Sequence, residues 1–160
     1  MKTIILSPWS KSFDPNKENP KNYPYWKDLV DILHDEGYQL VQIGRSDEQR
    51  IEGVDEWLTD KPFAELESLI RECVTWISVD NFFPHFCNCV DPNKWGIVLW
   101  SKSDPNLFGY KHNINLYKSK KFFRQNQFDV WFNEKYSQEA FVKPQMVMSA
   151  LRQKLLNRNV

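Results

Sequence analysis

From Trp76 to His85 the chain reads Trp-Ile-Ser-Val-Asp-Asn-Phe-Phe-Pro-His, a β-forming run that stops on an acid and then turns toward a helix. A carboxylate at Asp80 accepts from hydroxyl groups, holds the loop in shape, or caps the helix behind it. The first turn of that helix directs N–H groups at an anion, and the helix dipole adds to the attraction. His85, one turn in, braces the loop or donates to the same anion; as an isolated residue it reads equally as a satisfied core histidine. Lys21 supplies a point positive charge, and Ser10 and Lys11 supply further donors. Lys21 also stands near Lys11, Lys17 and Lys27, where a solvated surface is the plain alternative. Glu48 shares its stretch with Asp47, Glu52, Asp55 and Glu56, so an exposed acidic face competes with a binding role.

Elements that alternate between strand and helix must position these groups. Thr3–Leu6 is a short apolar run ended by Ser7-Pro8, a buried strand entering a loop. Ser10 to Pro24 is rich in proline, asparagine and charge, and reads as a loop. Trp26, Leu29, Val30, Ile32 and Leu33 recur at helical spacing, and Gly37 ends the helix. Tyr38 to Ile43 is a strand stopped by Gly44. Asp47 to Gly53 reads as a short helix and Val54 to Leu58 as a short strand. Pro62 opens the next helix, with Phe63, Leu66, Leu69 and Ile70 on it. Cys73–Val79 and Trp95–Trp100 are buried strands flanking a helix over Phe82–Val90. Pro144 opens a last helix carrying Val147, Ala150, Leu151 and Leu155. The pattern predicts an α/β fold: three layers around a Rossmann-like parallel sheet of about five strands, as one domain over residues 1–160. In such sheets ligands bind where the strands end, so the loops after Leu6, Gly44, Leu58, Val79 and Trp100 are the places to look.

Composition narrows the function. Twenty-one basic residues balance twenty-one acidic ones, so the chain lacks the broad positive field on which nucleic-acid binding relies. Lys118–Arg124 mixes charge with aromatics, but it is brief and reads as a solvated loop anchored by Phe122 and Phe123. No G-x-G-x-x-G and no Walker lysine motif occur, which argues against a dinucleotide dehydrogenase and a P-loop ATPase. Three cysteines, an odd number with Cys87 and Cys89 one residue apart, point to free thiols in a reducing compartment rather than a disulfide or zinc scaffold. No apolar run has the length of a membrane span, and the expected location is the cytoplasm.

The segment Ser78-Val-Asp80-Asn-Phe82-Phe-Pro-His85 resembles the S-x-D-[ST]-G-x-x-H motif of glycosyltransferase family 9, the family of ADP-heptose:lipopolysaccharide heptosyltransferases. The family's next strand and its G-x-T-D-P-x-x-x-G-like turn have counterparts in Trp95–Trp100 and Ser101-Lys-Ser-Asp-Pro-Asn-Leu-Phe-Gly109. Upstream, Leu6-Ser-Pro-Trp-Ser10 is similar to the strand that leads into a phosphate-facing loop. Lys21-Asn-Tyr-Pro-Tyr-Trp26 is similar to the K-x-W-P segment, and Leu40-Val-Gln-Ile-Gly44 to the strand ending in glycine. The matching order extends from Thr3 to Leu156. Phe82 stands where the family has glycine, a departure that bears on how closely backbone could approach a phosphate.

The resemblance covers one half of a two-domain GT-B enzyme, the C-terminal domain that binds the nucleotide sugar. It implies a donor-phosphate site at Ser10, Lys11, Lys21, Asp80, Asn81, Phe82 and His85. It implies a nucleoside site at Gly44, Glu48 and Leu58, with Glu48 receiving the two ribose hydroxyls. The acceptor domain, which carries the family's catalytic base, has no counterpart in this sequence, so no catalytic residue is assigned. The implied ligand is a nucleoside-diphosphate sugar and the implied chemistry sugar transfer; a non-catalytic ligand- or protein-binding module is the alternative. The open cleft face, with Trp9, Phe82, Phe83 and Trp100 as apolar members, is expected to meet a partner protein or a second copy. Neither a D-x-D pair nor a Cys/His cluster is present, so phosphate charge is expected to meet lysine and backbone N–H groups without a metal cofactor. EDTA should therefore leave nucleotide binding, measured by calorimetry, unchanged. Binding lost on chelation and restored by magnesium or manganese would overturn this.

Overall fold

The computed structural model describes residues 2–12, 14–131 and 134–157. Its elements run β1 (Lys2–Ser7), α1 (Trp26–Asp35), β2 (Tyr38–Gly44), β3 (Glu56–Thr59), α2 (Phe63–Glu72), β4 (Thr75–Val79), α3 (Phe83–Val90), β5 (Ile97–Leu99), α4 (Pro105–Phe108), β6 (Ile114–Leu116) and α5 (Pro144–Leu156). The strands form one sheet in the order β3-β2-β1-β4-β5-β6, every neighbouring pair parallel. The α/β, three-layer expectation holds.

The layers follow from strand alternation. Ile4, Leu6, Leu40, Ile77, Val79, Ile97 and Leu99 face one side, where the buried stripe of α1 and the Val147, Met148 and Leu151 stripe of α5 cover them. Ile5, Ile43, Trp76, Val98 and Trp100 face the other, under Leu66 and Ile70 of α2 and Phe83 and Cys87 of α3. The central strands are apolar on both faces, which is what a sheet sandwiched between helices requires. Gly37, at φ 80°, reverses the chain between α1 and β2 in a conformation glycine adopts without strain.

Two details depart from the sequence expectation. The sheet has a sixth strand, β6, which is three residues long with a polar Asn115 at its centre and so carries no apolar run to announce it. Asp47–Gly53 is a turn and extended chain rather than a helix. The side chain of Gln42, inside β2, donates to the Gln49 carbonyl at 2.8 Å and accepts from the Ile51 N–H at 2.7 Å. These bonds draw the backbone open, and strand β3 starts at Glu56, after Gly53 has turned at φ 93°.

The three thiols are free, Cys73 and Cys87 in the core and Cys89 exposed. Burial pushes the Cys73 thiol up to about 11 and the Cys87 thiol higher still. No helix among the described residues is long and apolar enough to cross a membrane.

Just before β5, a Cβ at Gly96 would collide with the indole of the fully buried Trp76. Gly96→Ala should cost about 1–3 kcal/mol of stability, the range for overpacking a closed core. Urea unfolding measures it; an unchanged midpoint would refute the fit.

Candidate functional site

The chain proceeds from β1 outward to β2 and β3, then returns to the other side of β1 as β4. Between β1 and β4 the strand order reverses, and loops leaving the two strand ends diverge to open a crevice. A cleft of about 470 Å³ lies there. Its floor is made by residues at the ends of four strands: Ser7, Gly44, Leu58 and Asp80.

One end of the cleft is apolar, lined by Ile43, Leu58, Phe63, Leu66 and Phe82. Phe63 and Phe82 are exposed, with ring centroids 6.4 Å apart, and both rings also meet Phe86. Beside it, Glu48 folds back on the end of β2. Its Oε2 accepts from the Arg45 N–H at 3.0 Å, and a Cβ at Gly44 would strike that carboxylate. Burial holds the Glu48 carboxyl above the ordinary glutamate range, with the Arg45 N–H and charge pulling the other way. Asp60 closes this side in the left-handed conformation, φ 53°. Its N–H donates to the Gly44 carbonyl at 2.9 Å and its carboxylate accepts from the Ser46 N–H at 3.2 Å. That conformation is uncommon outside glycine, though aspartate tolerates it better than most residues.

The other end is charged. Lys21 Nζ lies 2.8 Å from Asp80 Oδ2, and Ser103 Oγ donates to the same oxygen at 2.8 Å. The Lys21 ammonium also sits 4.6 Å from the centre of the Trp131 ring. Lys11 lines the cleft and makes no ion pair among the described residues. Arg45 and Lys61 are paired with Asp47 and Glu65.

The structure brings Ser10, Lys11, Lys21, Asp80, Asn81, Phe82, Gly44, Glu48 and Leu58 to this one cleft. It does not bring His85. That ring faces the β5–β6 connection, with Nδ1 3.0 Å from the Tyr110 hydroxyl, and it lines an adjoining recess of about 350 Å³ across the Lys21–Asp80 pair. Two of the expected phosphate donors are engaged within the chain. Ser10 Oγ donates to the Asp80 carbonyl at 2.6 Å. Asn81 Nδ2 donates to Ser7 Oγ at 3.0 Å and to the Trp9 carbonyl at 3.1 Å, while its Oδ1 accepts from Ser78 Oγ and the Phe83 N–H.

The anion nest expected at the start of α3 is likewise filled. Asn81, not Asp80, takes the Phe83 N–H, Pro84 has none, and the His85 and Phe86 N–H groups both donate to the Phe82 carbonyl. The apolar rim is also narrower than expected. Phe82 is exposed and Trp9 half-buried, but Phe83 and Trp100 belong to the core beside Trp76, which excludes them from any contact with a partner.

Three residues at the site had no motif to mark them. Asn19 accepts from the Lys21 N–H at 2.9 Å and donates to the Lys11 carbonyl at 2.8 Å, so one side chain sets the backbone of both cleft lysines. Asn22 accepts from the Ser10 N–H at 2.7 Å. The asparagine-rich composition of that loop was the available signal, since such side chains hold turns by bonding nearby backbone. Trp131 comes from a segment more than a hundred residues away in sequence, and nothing local pointed to it.

No family model and no characterised protein matches the chain by sequence. Solved structures do match. E. coli ADP-heptose lipopolysaccharide heptosyltransferase II superposes with TM-score 0.69 at 19% identity, covering 99% of this chain and 48% of that one. The chain has the fold of one half of a heptosyltransferase. E. coli heptosyltransferase WaaC, solved with ADP, gives 0.62 at 13% identity over 96% and 44% of the two chains. The iron-containing dodecameric glycosyltransferase TibC of E. coli gives 0.58 at 13% over 89% and 36%. The chain thus spans less than half the length of these proteins, in keeping with the resemblance to one domain of a GT-B enzyme. Among the described residues no group of three or more His, Cys, Asp or Glu side chains is placed to hold a metal ion.

Asn81→Ala should remove the bonds that tie the ends of β1 and β4. The expected loss is about 2–3 kcal/mol, since each buried partner left unpaired costs about 1 kcal/mol or more. A chemical-denaturation midpoint within error of wild type would show that the amide carries no such role.

Proposed function

We propose that this chain binds a nucleoside-diphosphate sugar in the cleft between β1 and β4 and presents it for glycosyl transfer. The observation that carries the reading is the cleft's polarity. An apolar end, a turn with a carboxylate and a cationic end follow one another along a single crevice, on a fold shared with proteins solved with ADP and ADP-2-deoxy-2-fluoro heptose. The base lies against Leu58, Phe63 and Leu66, and Glu48 accepts from the ribose hydroxyls. Lys11 and Lys21 face the phosphates. When the glycosidic bond breaks, negative charge grows on the diphosphate, and cations placed there stabilise it more than they stabilise the intact sugar nucleotide. The acceptor and the base that deprotonates it come from a surface facing this one, a second domain or a partner chain.

One observation favours a purely binding role as a second reading. The Lys21 charge is already met by Asp80, and the α3 N–H groups are already engaged. Such a cleft holds a ligand with less electrostatic gain than one whose cations are bare.

Thermal shift with millimolar ADP, UDP, GDP and CDP tests binding. A ligand at a hundred times its dissociation constant stabilises by about 2.7 kcal/mol, a shift of several degrees for a domain of this size. No movement with any of them would remove the proposal. Turnover of a nucleotide sugar by the chain alone should be slow or absent. Rapid transfer would mean that these residues supply base and acceptor pocket unaided.

A further inference from the structure

The long connection between β6 and α5 crosses back to the cleft and is organised by one buried arginine. Arg124 is 6% exposed. Its backbone N–H donates to the Lys102 carbonyl in the loop after β5 at 2.9 Å, and its Nη2 donates to the Asp129 and Val130 carbonyls of its own connection at 2.6 and 2.9 Å. Nε donates to Glu134 at 3.2 Å, and Glu134 also pairs with Lys102 at 3.2 Å. The guanidinium carbon lies 4.1 Å from the centre of the Trp131 ring, the same ring that the Lys21 ammonium approaches. Two cations therefore meet one indole, and the indole borders both the cleft and the recess beyond the Lys21–Asp80 pair. Arg124 is fixed by these bonds, so Trp131 is fixed against it, and Lys21 is the one partner of the three on a flexible stem.

We infer that Trp131 is a positioning residue for Lys21: its π face holds the ammonium at the partition between the two cavities, where a phosphate group on the ligand must meet it. The inference rests on the nucleotide reading of the cleft for its ligand, but not for the contact itself. A ring quadrupole attracts a cation without neutralising it, whereas a carboxylate does both. Trp131 thus keeps Lys21 in place if a phosphate oxygen displaces Asp80 from it. Without the ring, Asp80 alone governs where the ammonium points. The effect acts through charge and so should fall on ligands with phosphate and spare those without.

The test compares wild type with Trp131→Leu, which keeps apolar bulk, and Trp131→Phe, which keeps a ring. In ligand-free protein, acetylation of Lys21 by an N-hydroxysuccinimide ester is followed by peptide mass spectrometry. Trp131→Leu should label about tenfold faster than wild type, with Trp131→Phe close to wild type, in line with a cation–π contact in a partly buried site. Equal rates in all three would overturn the inference. Calorimetry with ADP, adenosine and inorganic pyrophosphate adds the ligand arm. Trp131→Leu should weaken ADP and pyrophosphate about tenfold and adenosine less than twofold, and the difference should vanish in a Lys21→Met background. An equal loss for adenosine, or a loss that persists without Lys21, would show Trp131 to be a wall of the cleft rather than a positioner of charge. If wild type binds none of the three probes, the nucleotide reading fails and the phosphate selection with it, while the labelling rates still decide whether Trp131 holds Lys21.

Discussion

The side-chain amide of Asn81 joins the ends of β1 and β4, the two strands between which the sheet changes direction. It donates to Ser7 and Trp9 on one strand end and accepts from Ser78 and the first turn of α3 on the other. Parallel strands leave their carboxyl ends without a hairpin to close them, so loops there diverge unless side chains tie them. Asn81 is that tie. Three groups that face the cleft are placed relative to it: Asp80 on one side, Phe82 on the other, and Ser10 bound to the Asp80 carbonyl.

From that fixed floor the polar loops are built by further amides. Asn19 and Asn22 hold the segment that carries Lys11 and Lys21, and Ser101 donates to the Pro20 carbonyl at 2.7 Å, docking the same segment to the end of β5. The result is a cleft whose positive groups sit on backbone held by short-range bonds. Placing charge this way keeps reorganisation small when a ligand binds, which is where preorganised sites gain their selectivity. The same economy costs bare charge. Lys21 is matched by Asp80, Arg45 by Asp47 and Lys61 by Glu65, so at those three an incoming anion must exchange partners, while Lys11 makes no ion pair among the described residues.

The two ends of the cleft are of different kinds for a structural reason. Loops from β2 and β3 run beside α2, whose exposed Phe63 and buried Leu66 bring apolar surface to that end. The loops from β1 and β4 meet the long connection after β6, which brings Arg124, Glu134 and Trp131. An apolar and a charged region thus arise from opposite sides of the switch point. The heptosyltransferases share this chain's fold at 13–19% identity.

The α/β class and the strands Thr3–Leu6, Tyr38–Ile43, Cys73–Val79 and Trp95–Trp100 were legible in the chain, because sustained apolar runs punctuated by Gly and Pro report burial directly. The loops after the strand ends were legible as well, and nine of the ten residues singled out there line one cleft. What the sequence could not supply was how each polar group is used. Asn81 and Ser10 read as ligand donors, yet their partners are Ser7, Trp9 and the Asp80 backbone, contacts that exist only once β1 lies beside β4. Gln42 opens what looked like a helix at Asp47–Gly53, because a buried side chain in a neighbouring strand outbids local helical preference for the backbone of Gln49 and Ile51. Trp131 reaches Lys21 across 110 residues of chain, and β6 forms from three residues whose only claim to be a strand is the edge of β5 beside them. Apolar patterning is a local record of burial; the partner of a hydrogen bond or a charge is decided by the tertiary fold.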